Sequence, residues 1–178
     1  MSVINLPVPA FRPDLPRLDL RRPPVAPSPL SAPVASQLAD ELARQAGAIR
    51  ALVVALQQGN SEEAGIELFV TTRASLQRHA HALETVCYRR LERLGGAVAA
   101  ACREGMVYND LIATLIDQLH HGREKAGALW DARLQVLRDL LDLRAERDQR
   151  QVVPLLAAGL SPVELRQVCD ELVAVSSL

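Results

Sequence analysis

Aromatic residues are scarce. Phe11, Phe69, Tyr88, Tyr108 and Trp130 make up 3% of the 178 residues, against an apolar fraction of 49%. A core drawn mainly from Leu, Val and Ala, with few aromatic or β-branched clusters, favours packed helices over sheets. An excess of one charge sign is also missing: 20 Lys and Arg stand against 21 Asp and Glu, for a formal net charge of −1. No basic surplus therefore points to nucleic acid, and no acidic surplus to a charged tail. Cysteine is sparse and odd in number. Cys87, Cys102 and Cys169 lie far apart without a C-x-x-C pair, which fits reduced thiols better than a disulfide framework or a zinc site. No apolar run approaches the roughly 18 residues of a membrane span. The opening MSVINLPVPA lacks the basic and long apolar regions of a secretory signal, so a cytoplasmic protein is expected. A Gly-rich phosphate loop, a G-x-S-x-G elbow and a repeat of fixed period are absent as well.

What is present divides the chain in two. Nine of the eleven prolines fall between Pro7 and Pro33. Each removes an amide donor and restrains the residue before it, so residues 1–35 are expected to form an extended or disordered arm rather than a helix. The arm also carries Leu6, Phe11, Leu15, Leu18 and Leu20, more apolar side chains than a solvated linker needs. They are the candidate residues for docking on a protein partner.

Residues 36–178 carry helical periodicity. Ser36 reads as an N-cap, and Leu38, Leu42, Ile49, Leu52, Val53 and Leu56 form an apolar stripe that stops before Gly59-Asn60. A second helix is expected from Ser61 to Gly95-Gly96, with Ile66, Phe69, Val70, Leu76, Leu83, Val86, Cys87 and Leu91 inward. A third spans about Ala97 to Leu119, with a break possible at Gly105, and the run from His120 to Gly127 reads as a connection. A fourth runs from Ala128 to about Val153, with Leu129, Leu134, Val136, Leu137, Leu140, Leu141 and Leu143 as its apolar residues. Val-Val-Pro kinks or ends it, and its charge-rich Asp139–Gln151 stretch reads as a solvated face with i, i+4 pairs. Ser161-Pro162-Val163-Glu164 combines an N-cap, a first-turn proline and an N3 glutamate, the capping box of a final helix. Long amphipathic helices with short connections predict an all-α, up-down-up-down four-helix bundle with an extra C-terminal helix.

Several stretches in order resemble the hemerythrin-like (HHE cation-binding) family: QAGAIRAL on the first helix, RHAHALETVCYRRL on the second, EGMVYNDLIATLI on the third. LWDARLQVLRDLLDLRAERDQRQVVP on the fourth helix and LSPVELRQVCDEL after it continue the likeness, which covers about Leu38 to Leu172. The resemblance implies the bundle, and in the family that bundle holds a di-iron site between its helices. Carried over position by position, the first-helix histidine falls on Ala46. On the second helix His79 is kept, its carboxylate partner falls on Leu83, and Glu84 follows it. The third-helix histidine falls on Gly105, the fourth on Arg144, and the carboxylate partner of the fourth on Asp148.

Of these positions only His79 and Asp148 keep a donor that suits a metal. Glu84 is a poor replacement because adjacent helical residues point about 100° apart. One imidazole and one carboxylate do not fill the coordination of two irons, and a guanidinium at Arg144 would repel cations and pair with Asp148 at i+4. The expectation is a non-catalytic accessory or protein-interaction subunit without a cofactor. The alternative is a metal- or oxygen-binding protein with a non-standard ligand set drawn from His79, Glu84 and Asp148, with His120 or His121 added. Cys169 is a weaker candidate for a redox-sensing thiol, and Trp130 reads as a packing anchor.

Overall fold

A computed structural model of the chain describes residues 31–58, 62–121 and 127–176. The apolar arm residues Leu6, Phe11, Leu15, Leu18 and Leu20 lie outside the described residues. All regular structure among the described residues is helical. Five helices follow one another, and three of them are uninterrupted: α1 (Ala32–Gln58), α3 (Gly96–His121) and α5 (Pro162–Ser176). Helix α2 consists of Glu62–Ala82, a π-helical turn over Leu83–Tyr88 and a last turn Arg89–Glu92. Helix α4 consists of Ala128–Arg147, a π-helical turn over Asp148–Val152 and a final segment Val153–Gly159.

Helix α1 starts earlier than its sequence suggests. The first helical hydrogen bond runs from the Ala35 N–H to the Ser31 carbonyl at 2.9 Å, so Ser31, and not Ser36, occupies the capping position. Pro33 sits in the first turn, where its missing N–H would have had no partner anyway. At the other end of the chain the capping box is formed as expected. The Ser161 N–H donates to Glu164 at 2.8 Å, and the Glu164 N–H donates to the Ser161 hydroxyl at 3.3 Å. Gly95 and Gly96, with φ of 72° and 55°, turn the chain from α2 into α3 through left-handed conformations that favour glycine.

Two expectations about helix continuity are corrected. Gly105 does not break α3, and Pro154 neither ends α4 nor stands at its end. Proline removes one i→i−4 bond and crowds the carbonyl four residues back. In α4 the preceding turn is widened, with the Val153 N–H bonded to the Asp148 carbonyl five residues back, so the helix runs on to Gly159.

Helix α1 packs against α2, α4 and α5, and α3 packs against α4. The apolar interior forms two clusters. One gathers Leu38 and Leu42, Leu83, Val86, Cys87 and Tyr88, Cys102, Val152 and Leu156, and is sealed by Leu165, Val168 and Leu172 of α5. The other gathers Ile49 and Val53, Phe69 and Leu76, Ile112 and Ile116, and Trp130 to Leu141. Trp130 is buried in the second, its ring 6.1 Å from that of Phe69. Ile66 and Val70 were expected inward but are 57% and 59% exposed: the inner face of α2 runs through Phe69, Thr72, Leu76 and His79 instead.

Candidate functional site

A layer of buried polar side chains separates the two apolar clusters. Each of the first four helices switches from apolar to polar at the same level along its inner face. Helix α1 has Gln45 between Leu42 and Ile49, and α2 has His79 between Leu76 and Ala82. Helix α3 has Gly105 and Asn109 between Cys102 and Ile112. Helix α4 has Arg144, Arg147 and Asp148 between Leu141 and Val152. The last three residues, spaced i, i+3 and i+4, share one helix face. They are only 2%, 6% and 3% exposed, which corrects the solvated-face reading for these three residues, while Asp139, Glu146, Gln149, Arg150 and Gln151 of the same stretch are exposed.

Hydrogen bonds join the layer across helices. The Gln45 amide donates to Glu41 Oε1 at 2.7 Å. This leaves its Oε1 to face His79 Nδ1 at 2.8 Å, so the Nδ1–H donates and the imidazole is the neutral tautomer with its lone pair on Nε2. Burial holds His79 far below the ordinary histidine range, at about 3, and the nearby Arg144 charge pushes the same way. On the other side Asn109 links two helices: its Nδ2 donates to Glu84 Oε1 and its Oδ1 accepts from Arg144 Nη1, both at 2.7 Å.

Asp148 stands between two guanidinium groups. Arg144 Nε lies 3.7 Å from its Oδ2 and Arg147 Nη1 lies 3.7 Å from its Oδ1. The Tyr88 hydroxyl approaches Oδ1 at 3.4 Å. Burial pushes the Asp148 carboxyl up from the usual range, against the pull of both arginines, and pushes the Arg144 guanidinium down. Arg147 Nη2 donates to the Ala101 carbonyl on α3. Arg144 Nη2 and Arg147 Nε and Nη1 are buried without a hydrogen-bond partner.

The two π-helical turns meet here. Arg89 bonds back five residues to the Glu84 carbonyl, as Val153 does to Asp148, and the widened turns carry Tyr88 and Asp148 towards each other. Such turns are rare and gather at functional sites. Gly105 supplies the seat for Tyr88: a Cβ there would meet the ring Cζ and hydroxyl at 2.5 Å and Arg147 Nη1 at 2.9 Å.

Of the residues singled out by the resemblance, His79, Arg144 and Asp148 converge with Ala46 around a cavity of about 10 Å³, room for a single water. Gly105 joins the same layer through Tyr88 and Arg147, and Glu84 joins it through Asn109. Leu83 is buried in the apolar cluster. His81 is exposed. His120 and His121 lie at the end of α3, where His120 stacks on Phe69. Gln45, Tyr88, Asn109 and Arg147 belong to the layer although sequence reasoning passed over them. The available signal was a polar residue at an inner-stripe position, as at Gln45 and Asn109.

The donor set does not fit two irons. Ala46, Leu83 and Gly105 offer no donor, Glu84 already accepts from Asn109, and Asp148 is enclosed by two cations. Among the described residues no three His, Cys, Asp or Glu side chains come together as a metal site. Burial pushes the Cys87 thiol up to about 12 and raises Cys102 and Cys169 as well. No described helix is long and apolar enough to cross a membrane. No protein-family model, no curated protein and no solved structure matches the chain.

Proposed function

We propose that the protein is a non-catalytic accessory or protein-interaction subunit of the cytoplasm. In this reading it is built on a hemerythrin-like four-helix bundle with an added C-terminal helix, and its centre is filled by an arginine–carboxylate network in place of a di-iron site. The observation that carries this is the buried Arg144–Asp148 pair, backed by Arg147 and tied to Asn109. It stands at the level where the family's ligands would converge and leaves only water-sized space. A permanent cation at this place stabilises carboxylates and repels metals. This network joins α2, α3 and α4, and the Gln45–His79 bond ties α1 to α2 at the same level, which supports a role as a rigid scaffold.

The arm supplies the interaction in this reading, with Leu6, Phe11, Leu15, Leu18 and Leu20 docking on a protein partner. Extended proline-rich segments suit this, because their backbone loses little entropy on binding. The test is affinity isolation from the native source with the full chain and with a variant in which these five residues are serine. The reading expects one partner recovered in stoichiometric amount by the full chain and lost with the variant. Equal recovery with both, or a chain that stays alone, would sink it.

A further inference from the structure

We propose that the cleft between α1 and α2 is a binding site for a small oxyanion, a carboxylate or phosphate group. The cleft has a volume of about 120 Å³ and shares His79 and Ile49 with the small central cavity. Arg44, Gln45 and Ala48 form one wall, at i, i+1 and i+4 on α1, and Ser75, Arg78 and His79 form the other, at i, i+3 and i+4 on α2. Each wall thus presents one guanidinium beside a polar side chain, and Ala48 keeps the space between them open.

Beside the Gln45–His79 pair, the two walls keep N–H and O–H groups of Arg44, Arg78 and Ser75. Gln45 and His79 are committed to each other through the Nδ1–H bond, with Gln45 held in place by Glu41. They form a neutral floor, since His79 stays uncharged down to about pH 3. Arg44 is matched by Glu41, with bonds of 2.8 Å and 2.6 Å to its two oxygens. Arg78 has no carboxylate partner among the described residues. Its Nη2 donates to Ser75 Oγ at 3.2 Å, which holds the guanidinium at the cleft and leaves the serine hydroxyl hydrogen free to donate. One positive charge is therefore unbalanced around the cleft. The Arg78 fork, the Ser75 hydroxyl and the remaining Arg44 N–H groups are the kind of convergent donors that carboxylates and phosphates accept from. Arg144, behind His79, adds positive potential that Asp148 offsets.

This site is independent of the arm and of the interaction reading. Its test is an NMR titration of the isotopically labelled full chain with inorganic phosphate and, separately, with acetate, each against sodium chloride at equal ionic strength. Saturable shifts at Ser75, Arg78 and His79, with a dissociation constant of about 1 mM or below, are expected for at least one oxyanion. Arg78→Ala and Ser75→Ala should each weaken binding, Arg78→Ala by about tenfold or more. Arg103→Ala, at an exposed position of α3 outside the cleft, should leave it unchanged. Shifts that chloride reproduces, that fail to saturate, or that persist in Arg78→Ala would overturn the assignment.

Discussion

Replacing His79 by asparagine isolates one pH-dependent contribution that the polar layer makes to stability. The asparagine side-chain nitrogen takes the place of Nδ1 and keeps a bond to Gln45, but it does not titrate. In the native protein burial holds the imidazole at about 3, against 6.5 for an ordinary histidine. A folded-state value below the unfolded one means that the unfolded chain binds the extra proton. The neutral imidazole therefore contributes fully above about pH 6.5, and its contribution is lost as the pH falls towards about 3. Between about pH 7.5 and pH 4.5 the loss is roughly 2–3 kcal/mol, from about 1.4 kcal/mol per pKa unit over the part of the shift traversed. Asp148 acts in the opposite sense: its folded-state value is raised, so its contribution is lost as the pH rises through that value. That effect is common to both proteins and cancels in the difference. Urea unfolding followed by helical circular dichroism, repeated across this range, gives the two slopes. His79→Asn lowers stability at neutral pH through lost packing, but it should flatten the acid limb by roughly 2–3 kcal/mol relative to the native chain. Parallel limbs would refute a buried neutral histidine.

Gly105→Ala should destabilise by about 1–2 kcal/mol, since crowding Tyr88 and Arg147 outweighs the better helix propensity of alanine. Gly47→Ala, in open space on α1, should instead stabilise by about 0.5–1 kcal/mol, and paired thermal unfolding curves check both signs. Asp148→Asn leaves Arg144 and Arg147 buried without their counter-charge and should cost about 3–5 kcal/mol by urea unfolding, far above a surface ion pair. Ser161→Ala removes the cap of α5 and should cost about 1 kcal/mol, with a normal far-ultraviolet spectrum below the transition.

The residues that follow local rules were legible in the sequence. The Ser161–Glu164 box and the Gly95-Gly96 turn stand where their chemistry puts them. Leu38, Leu42 and Ile49 of α1 and Leu134, Leu137 and Leu141 of α4 are buried, whereas Leu129, Val136 and Leu143 of the same α4 set are exposed. Positions that depend on tertiary contacts were not. Ser36 looks as good a cap as Ser31, and the choice falls to Ser31 because Pro33 is compatible with a first turn. By charge pattern alone Arg144, Arg147 and Asp148 belong to a solvated face, although the resemblance set Arg144 and Asp148 as an internal pair. Burial of a charge is decided by partners on other helices, here Asn109, Tyr88 and Ala101. The π-helical turns have no local signature either: they accompany the approach of Tyr88 to Asp148 over Gly105. No local pattern brings His79, Arg144, Asp148 and Ala46 together; they meet through the packing of α1, α2 and α4. Gln45 and Asn109, polar residues on apolar stripes, were the direct clue to the layer that contains them.

The central claim is that Arg144 and Asp148 fill the middle of the helices in place of a metal centre. Native mass spectrometry of the full chain purified from its source without chelator, with elemental analysis of the same sample, tests it most directly. The account predicts a mass equal to that of the polypeptide and transition metal far below one atom per chain. Two irons per chain, retained through purification and lost only with unfolding, would contradict it.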